Sequence, residues 1–519
     1  MRNLVIICGL LGALTVYAVA QNPSCGALND TAVHTPQSYT CSAGSGCMQP
    51  GGSGSPPPLV PPSAVNSTIT DPQYGCTIKR MTTFGEQQSG QASHNYYSTF
   101  TSVSANDDFL MIFQDNAAAY IISVADGSLV VPIGNMPSSN NSYVSTNVRP
   151  WDRSDGYRFY YTVNNQFVAE EINNGSPVSG CKPNCTLTQT VLYTFSNYSA
   201  CAIPDQENVS QGNQYIWLVC TPSSGAANSV AVAYDFKNNV VLSSSLVVGA
   251  QNSGGWHKIQ VFPSGKMLLT GGSLCNGTEC IYNTDGTVYW QPPLTYSDHT
   301  GIGTDLSGHE VMITASSGVS SLNACGTQMW SSLTVIDINA EKPLNCLIGG
   351  TGTGCVGSAS CAGPYLDNWE ISYEDTPNGW VLLTLCEDGC GGPALPGIGG
   401  FDNCSTSGAA TCVSGGATDL ESNWASAWLP YDQEVILAKV DGSAIYRMAH
   451  HRSKDGENYW AIPVGTISYD ADYIVFNSNW DISNTGDAQY ADVYTIATGI
   501  TTSSAAPSPP TNLQAGVSP

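Results

Sequence analysis

Residues 459–482 read YWAIPVGTISYDADYIVFNSNWDI. The core of this stretch is Tyr469-Asp470-Ala471-Asp472, an acidic turn, followed at once by the apolar run Tyr473–Ser478 (YIVFNS). A β-rich segment, a polar turn and a second β-rich segment spell a hairpin. The same phrase recurs up the chain. Asn106-Asp107-Asp108 precedes FLMIF, Ser154-Asp155-Gly156 precedes YRFYYTV, and Gln211-Gly212-Asn213 precedes QYIWLVC. Pro263-Ser264-Gly265 precedes KMLLTGG, Leu306-Ser307-Gly308 precedes HEVMITA, and Pro377-Asn378-Gly379 precedes WVLLTLC. Seven copies stand at spacings of roughly 43 to 93 residues, the range of four-stranded propeller blades with loop insertions. Hairpin turns need left-handed backbone, which explains their Gly, Asn and Asp content.

Each unit is a small antiparallel sheet with two apolar faces, and it cannot bury both alone. Packing sheet on sheet around an axis buries them and leaves only short edges. No window keeps apolar residues at the i, i+3, i+4, i+7 spacing of an amphipathic helix. The chain therefore reads as all-β: a seven-bladed β-propeller over residues 67–498, with disulfide-stapled loops. A pair of β-sandwiches is the competing architecture, but it gives no reason for seven copies of one hairpin.

The flanks read differently. Residues 1–20 carry Arg2, an apolar run from Leu4 to Tyr17 and the small-residue pattern Ala18-Val19-Ala20, which together read as a secretory signal peptide. Residues 21–50 form a Cys-containing N-terminal segment, residues 51–66 a Gly/Ser/Pro-rich linker, and residues 499–519 a Ser/Pro-rich C-terminal linker. No later stretch is long enough to span a bilayer, so the mature chain is expected to be secreted and extracellular.

Of 19 cysteines, Cys8 lies in the signal segment and the remainder is even in number. That suits pairing in an oxidising compartment. Proximity suggests Cys25/Cys76, Cys41/Cys47, Cys181/Cys185, Cys201/Cys220, Cys275/Cys280, Cys325/Cys346, Cys355/Cys361, Cys386/Cys390 and Cys404/Cys412. No C-x2-C pair of a zinc site is present. The nine N-x-S/T sequons are close to the about seven that composition alone gives, so they matter only if the source cell glycosylates.

Charge excludes several function classes. There are 40 Asp+Glu against 15 Lys+Arg, a net charge of −25. Phosphate backbones need clustered cations, so no nucleic-acid partner is expected. An anionic membrane surface is excluded on the same ground. No nucleophile elbow, Walker A loop or dinucleotide fingerprint occurs.

In a propeller the inner strand of each blade runs along the axis, and its starting end faces one funnel. Counting back from the hairpin turns places His94 and Asn95, Arg149 and Trp151, Trp256 and His257, and Asp298 and His299 at that end. It adds Asp367, Asn368, Trp369 and Glu370, and then Tyr459 and Trp460. Imidazoles there could hold a divalent cation, Ca2+ or Mn2+, with His94, His257 and His299 as ligands. Asn95, Trp151, Trp256, Asp367, Asn368, Trp369 and Trp460 are the substrate-binding candidates, since Trp faces stack on sugar rings. A lyase needs a base to take the proton α to a uronate carboxylate, for which His257 and His299 are candidates, and a cation such as Arg149 to stabilise the enolate-like charge. Against this stands a plainer expectation, that inner-strand His and Asn simply satisfy backbone groups around a water-filled channel.

The repeated hairpin resembles the seven-bladed TolB/WD40-like β-propellers, and the last repeat, YWAIPVGTISYDADYIVFNSNWDI…YADVYTI, is similar to the closing repeat of secreted bacterial propellers of uncharacterised function. The chain also resembles, more weakly, the oligogalacturonate lyases, pectin-degrading propellers that hold a divalent metal near the axis with His ligands. These resemblances imply recognition of an extracellular polysaccharide or glycan at the axial funnel, with lyase activity as the sharper expectation. The alternative is a non-catalytic extracellular scaffold or protein-interaction module.

Overall fold

The computed structural model describes residues 22–29, 61–83, 93–114, 118–135, 149–204, 208–224, 228–249, 256, 258–270, 273–275, 278–294, 300–315, 320–322, 324–325, 333–348, 369–374, 376, 378–385, 434–451, 463–478, 480 and 491–500. Residues 1–21, 30–60 and 501–519, which include the expected signal peptide, lie outside the described residues.

Seven antiparallel sheets follow one another along the chain. Blade one contains Ser93–His94, Phe109–Gln114, Ala118–Ser123 and Leu129–Asn135. Blade two contains Arg158–Val163, Gln166–Ile172 and Leu187–Thr194, with Trp151 bridging Phe159 as its short inner element. Blade three runs from Tyr198–Ala202 to Val240–Val247, blade four from Lys258–Val261 to Val288–Trp290, and blade five from Gly301–Thr304 to Lys342–Ile348. Blade six holds Trp369–Ser372, Trp380–Leu385, Glu434–Lys439 and Ile445–His450. Blade seven starts with Thr466–Ile467, Tyr473–Ser478 and Asp492–Ala497, and is completed by Thr77–Arg80 and Thr68–Thr70 from the other end of the chain. The fold is the seven-bladed all-β propeller that the hairpin repeat demands. Helix is limited to short 3-10 turns among the described residues.

The hairpins form for one recurring local reason. Ser104, Ser210 and Ser468 each accept, on Oγ, the amide of the residue five positions on: Phe109 at 3.1 Å, Tyr215 at 2.8 Å and Tyr473 at 3.0 Å. Thr376 Oγ1 likewise accepts the amide of Trp380, four positions on, at 2.6 Å. The hydroxyl replaces a ladder bond where the chain reverses. Asp107, Asn213 and Ala471 sit at positive φ in these turns, as do Gly265, Gly308 and Gly379. At Gly265 a Cβ would also meet the Tyr215 ring at 2.8 Å, so space as well as backbone conformation requires glycine there.

The strand after each turn is buried on both faces; Phe109–Gln114 is buried at every position. That is why it reads as an unbroken apolar run rather than an alternation. Outer strands such as Val240–Val247 alternate toward solvent. Apolar clusters link every neighbouring pair of sheets. Trp151 and Phe159 belong to the layer joining blades one to three, Trp217 and Met267 to that of three and four, and Leu268 and Met312 to that of four and five. Val311 and Val381 join five and six, Trp380 and Phe476 join six and seven, and Val493 and Ile112 join seven and one. The last contact closes the ring.

Closure is also ionic. Arg80 donates to Asp492 Oδ2 at 2.6 Å, Thr82 Oγ1 donates to Asp492 Oδ1 at 2.5 Å, and Arg80 also donates to the carbonyl oxygens of Pro62 and Thr82, each at 2.9 Å. Residues 22–29 dock on the ring: Ala27–Leu28 pairs with the outer strand of blade six, and Cys25 is disulfide-bonded to Cys76. The Cys181–Cys185, Cys201–Cys220, Cys275–Cys280 and Cys325–Cys346 bridges follow the expected pairing. The remaining cysteines lie outside the described residues.

Alternating strand direction sorts the connections by face. Turns between first and second strands, and between third and fourth, emerge on one face. Connections between second and third strands, and from each blade to the next, join on the other, where the inner strands begin. The long intervals 136–148, 349–368, 386–433 and 452–462 all belong to the second kind.

Candidate functional site

The hub is built from the inner strands. In blade one, residues 93–104 are buried throughout. His94 pairs with Phe113, and the next bridge is Val103 to Leu110, with Met111 N–H donating to Ser102 O at 2.9 Å, so residues 95–101 bulge out of the ladder. Tyr96, Tyr97 and Phe100 anchor this bulge in the core shared with blade two. Its polar residues turn to the axis: Ser98 Oγ donates to Glu370 Oε2 of blade six at 2.6 Å.

A second link crosses the ring at the exit of the inner strands. Arg153 of blade two meets Glu374 of blade six, Nη2 to Oε2 at 3.0 Å and Nη1 to the carbonyl oxygen at 3.0 Å. Asn208 of blade three donates to the same Oε2 at 3.1 Å, and Arg153 Nε donates to the Val209 carbonyl at 3.2 Å. The guanidinium lies 4.7 Å from the Tyr469 ring of blade seven, whose hydroxyl donates to the Trp151 carbonyl at 3.2 Å. Burial holds the Tyr469 phenol protonated well above its ordinary range. Thr99, Arg153, Asn208, Gln260, Ile302 and Tyr373 leave between them a cavity of about 20 Å³, room for about one water. Side chains from six blades thus line this one small cavity.

The sequence candidates divide into three groups. His94 is buried and its Nδ1–H donates to the Asn95 carbonyl at 2.6 Å; burial lowers its pKa to about 3, so the ring is neutral at ordinary pH. The Asn95 amide donates to Asn477 Oδ1 at 2.9 Å and its side chain donates to the Val464 carbonyl, so it sews blade one to blade seven. Arg149 lies over the Tyr161 ring at 4.6 Å with Glu170 at 3.7 Å, and burial pulls its pKa down to about 10. Trp151 is enclosed between Phe109 and Phe159, with Nε1 donating to Ser102 O at 2.9 Å. Trp256 is buried in the layer of blades three and four. The backbone of Trp369 pairs with Leu385, and its neighbour Glu370 holds Ser98. His257, His299, Asp298, Asp367, Asn368, Tyr459 and Trp460 lie outside the described residues.

The remaining histidines are elsewhere. His309 is exposed beside Asp305 at 2.8 Å, which raises its pKa. His450 is buried, stacked on Tyr74 with 5.1 Å between ring centroids and within 3.3 Å of Asp71 Oδ2. His451 is buried beside it.

Sequence reasoning did not select Arg153, Glu374, Asp107, Asp470 or Asp472. The last three bring one carboxylate oxygen each within 4.8 Å of one another where blade seven meets blade one. Burial, reinforced by Asp470, pushes the Asp107 pKa up to about 9; burial raises that of Asp472 to about 6. The signal was present in the first and last hairpins, whose acidic turns ring closure makes neighbours. An all-oxygen donor set of this kind fits a hard divalent cation.

No protein-family model and no curated protein matches the sequence. Among solved structures, the chain is similar to an oligogalacturonate lyase in complex with manganese, at 9% identity and a TM-score of 0.44, covering 83% of this chain and 96% of that one. The figures are the same for an oligogalacturonate lyase from Vibrio parahaemolyticus. A structure of the mitotic checkpoint complex matches at 9% identity and a TM-score of 0.40, covering 84% of this chain and 96% of that one. At such distance the likenesses bear on neither substrate nor chemistry, and the propeller assignment rests on the seven sheets of this chain.

Proposed function

We propose that the protein is an extracellular propeller that recognises polysaccharide on the face where its inner strands begin. One observation carries the reading: the seven sheets form a ring whose inner strands all begin on one face, so that face is where side chains from every blade can meet one ligand. Five disulfides among the described residues, and no helix there long and apolar enough to cross a membrane, are compatible with an extracellular setting.

Lyase chemistry is the sharper form of the proposal, with His257 or His299 as base, Arg149 as charge stabiliser, and Ca2+ or Mn2+ as cation. The Asp107, Asp470 and Asp472 carboxylates lie on the opposite face, so a cation held there would be separate from this chemistry. A non-catalytic scaffold is the second reading. It is favoured by the internal bonding of His94, Asn95 and Trp151, which serve the walls of the ring.

A glycan array probed with the full chain tests recognition, with polygalacturonate incubations followed in the ultraviolet alongside. Retention on a defined glycan class supports the proposal. Release of unsaturated uronides, abolished by chelator, supports its lyase form. Absence of both leaves the scaffold.

A further inference from the structure

Every blade of a propeller ends in an edge strand, and an edge strand offers unpaired backbone to other chains. Six of the seven edges here carry a feature that discourages such pairing. That of blade one, Leu129–Asn135, contains Pro132, and that of blade five, Lys342–Ile348, opens with Lys342 and Pro343. Blades four and seven end in strands of three residues, Val288–Trp290 and Thr68–Thr70. That of blade six, Ile445–His450, contains Arg447 and is covered by Ala27–Leu28. That of blade two, Leu187–Thr194, turns Thr188, Gln189 and Thr190 to solvent.

The edge of blade three differs. Val240–Val247 is eight residues long, with no proline and no charge. No Asp, Glu, Lys or Arg occurs from Asn238 to His257. Val240, Leu242 and Val247 are 47%, 39% and 46% exposed. The third-to-fourth-strand turn of blade four leans on the same strip, since a Cβ at Gly286 would lie 3.0 Å from Ser243 Oγ and 3.8 Å from Leu246 Cβ. Val288, two residues further on, is 56% exposed and extends the apolar surface. The strand is bulged against Ala231–Tyr234 at Leu242 and at Ser244-Ser245. Bulges re-aim side chains. Here they leave Leu242, Ser244 and Ser245 exposed, so the strip meets its surroundings through side chains more than through a regular backbone ladder.

The sequence of the strip says what fits it. Residues 240–248, VVLSSSLVV, read the same in both directions about Ser244. A two-fold axis through Ser244 therefore sets like against like. Val240 faces Val248 of the other copy, Val241 faces Val247, Leu242 faces Leu246 and Ser243 faces Ser245. A two-fold contact needs a self-complementary patch, and a palindromic strand is one. Charge points the same way. The chain carries −25, so a second copy meets least repulsion along an uncharged strip. Asp285, whose carbonyl accepts Ser243 Oγ at 3.1 Å, has its carboxylate turned back onto Thr287. The amide and hydroxyl of Thr287 donate to its Oδ1 at 2.9 and 2.6 Å.

We propose that the outer strand of blade three is the contact between two copies of this chain, related by a two-fold axis at Ser244. At about 3.3 Å per residue the palindrome makes a seam about 30 Å long. A seam one strand wide falls short of the about 800 Å² per partner of a standard interface. The dimer is therefore weak and reversible, with a Kd of about 0.1 mM. Sedimentation equilibrium of the full chain up to about 1 mM is the test. A monomer–dimer equilibrium is expected, tightening about threefold between about 0.05 and about 0.5 M NaCl as the repulsion is screened. Leu242→Glu puts a charge beside the axis and should weaken dimerisation about tenfold or more. Leu306→Glu, at an exposed leucine of blade five, should leave it unchanged. Ser244→Cys, on the axis, should give a disulfide-linked dimer under mild oxidant, whereas Thr190→Cys, on the edge of blade two, should not. Unchanged thermal midpoints show that the variants fold. The proposal is overturned if the wild type stays monomeric at about 1 mM in about 0.5 M NaCl. It is overturned equally if folded Leu242→Glu dimerises as the wild type does, if association runs on past the dimer, or if Ser244→Cys crosslinks no more than Thr190→Cys. A monomeric wild type whose glycan retention is lost in Leu242→Glu would give the strip to a ligand and overturn it too.

Discussion

At the scale of single residues, Asp107 carries the clearest consequence. Its backbone is left-handed (φ 57°), and its carboxyl is held protonated to about pH 9 by burial and by Asp470, with Asp472 and Asp108 adding to the field. In the unfolded chain the same carboxyl ionises near pH 4. Between those values the folded state holds a proton that the unfolded state has lost, so stability declines as pH rises through that window. Asp107→Asn removes the titration, and Asn tolerates left-handed backbone well. The variant should be more stable than wild type by on the order of 1 kcal/mol at about pH 8, after discount for partial exposure, and nearly equal to it at about pH 4. Thermal midpoints across that range are the measurement; parallel curves for the two proteins would show that Asp107 is an ordinary surface carboxylate. None of this was legible residue by residue. An NDD turn and a DAD turn stand at opposite ends of the repeat series, and only ring closure puts them side by side.

Elements were far more legible than residues. An apolar run after a polar turn is a local property, and each of the seven hairpins announces itself within its own stretch. The bulge at 95–101 does not, because Asn95-Tyr-Tyr-Ser-Thr-Phe reads as an ordinary half-polar strand, and its Ser98 bonds Glu370, 272 positions away. Arg153 and Glu374 are hidden for the same reason, being 221 positions apart. The strand Thr77–Arg80 is the element on which closure turns, and its Arg80 is buried against Asp492. Removing one partner of such a pair strands the other in a low-dielectric interior, at a cost of about 3–5 kcal/mol. Asp492→Ala should lower stability by that amount in chemical unfolding. Thr82→Ala, which removes the other bond to the same carboxylate, should cost about 1 kcal/mol. A loss below about 1 kcal/mol in Asp492→Ala would mean that the ring is held by its apolar layers and that the ion pair merely fits between them.

For the whole molecule the decisive quantity is charge. A net charge of −25 on the chain repels a polyanion. At low salt that repulsion reaches beyond the contact distance; at about 0.1 M it is screened over about 10 Å. Two classes of polysaccharide are thereby separated on physical grounds. A neutral glycan is held by stacking and hydrogen bonds, so its affinity should stay within about twofold between low and physiological ionic strength. A polyuronate must first be brought through the repulsion, by screening or by a divalent cation shared between its carboxylates and those of the protein. Binding to polygalacturonate should therefore rise with added NaCl, and rise further at equal ionic strength when Ca2+ replaces part of the Na+. Affinity electrophoresis with neutral and acidic polymers at matched ionic strengths measures both trends. Polygalacturonate binding that weakens steadily with salt and ignores Ca2+ would reveal a local cationic surface strong enough to override the field of the whole chain, and would move the search for the site to the few places where Lys and Arg gather.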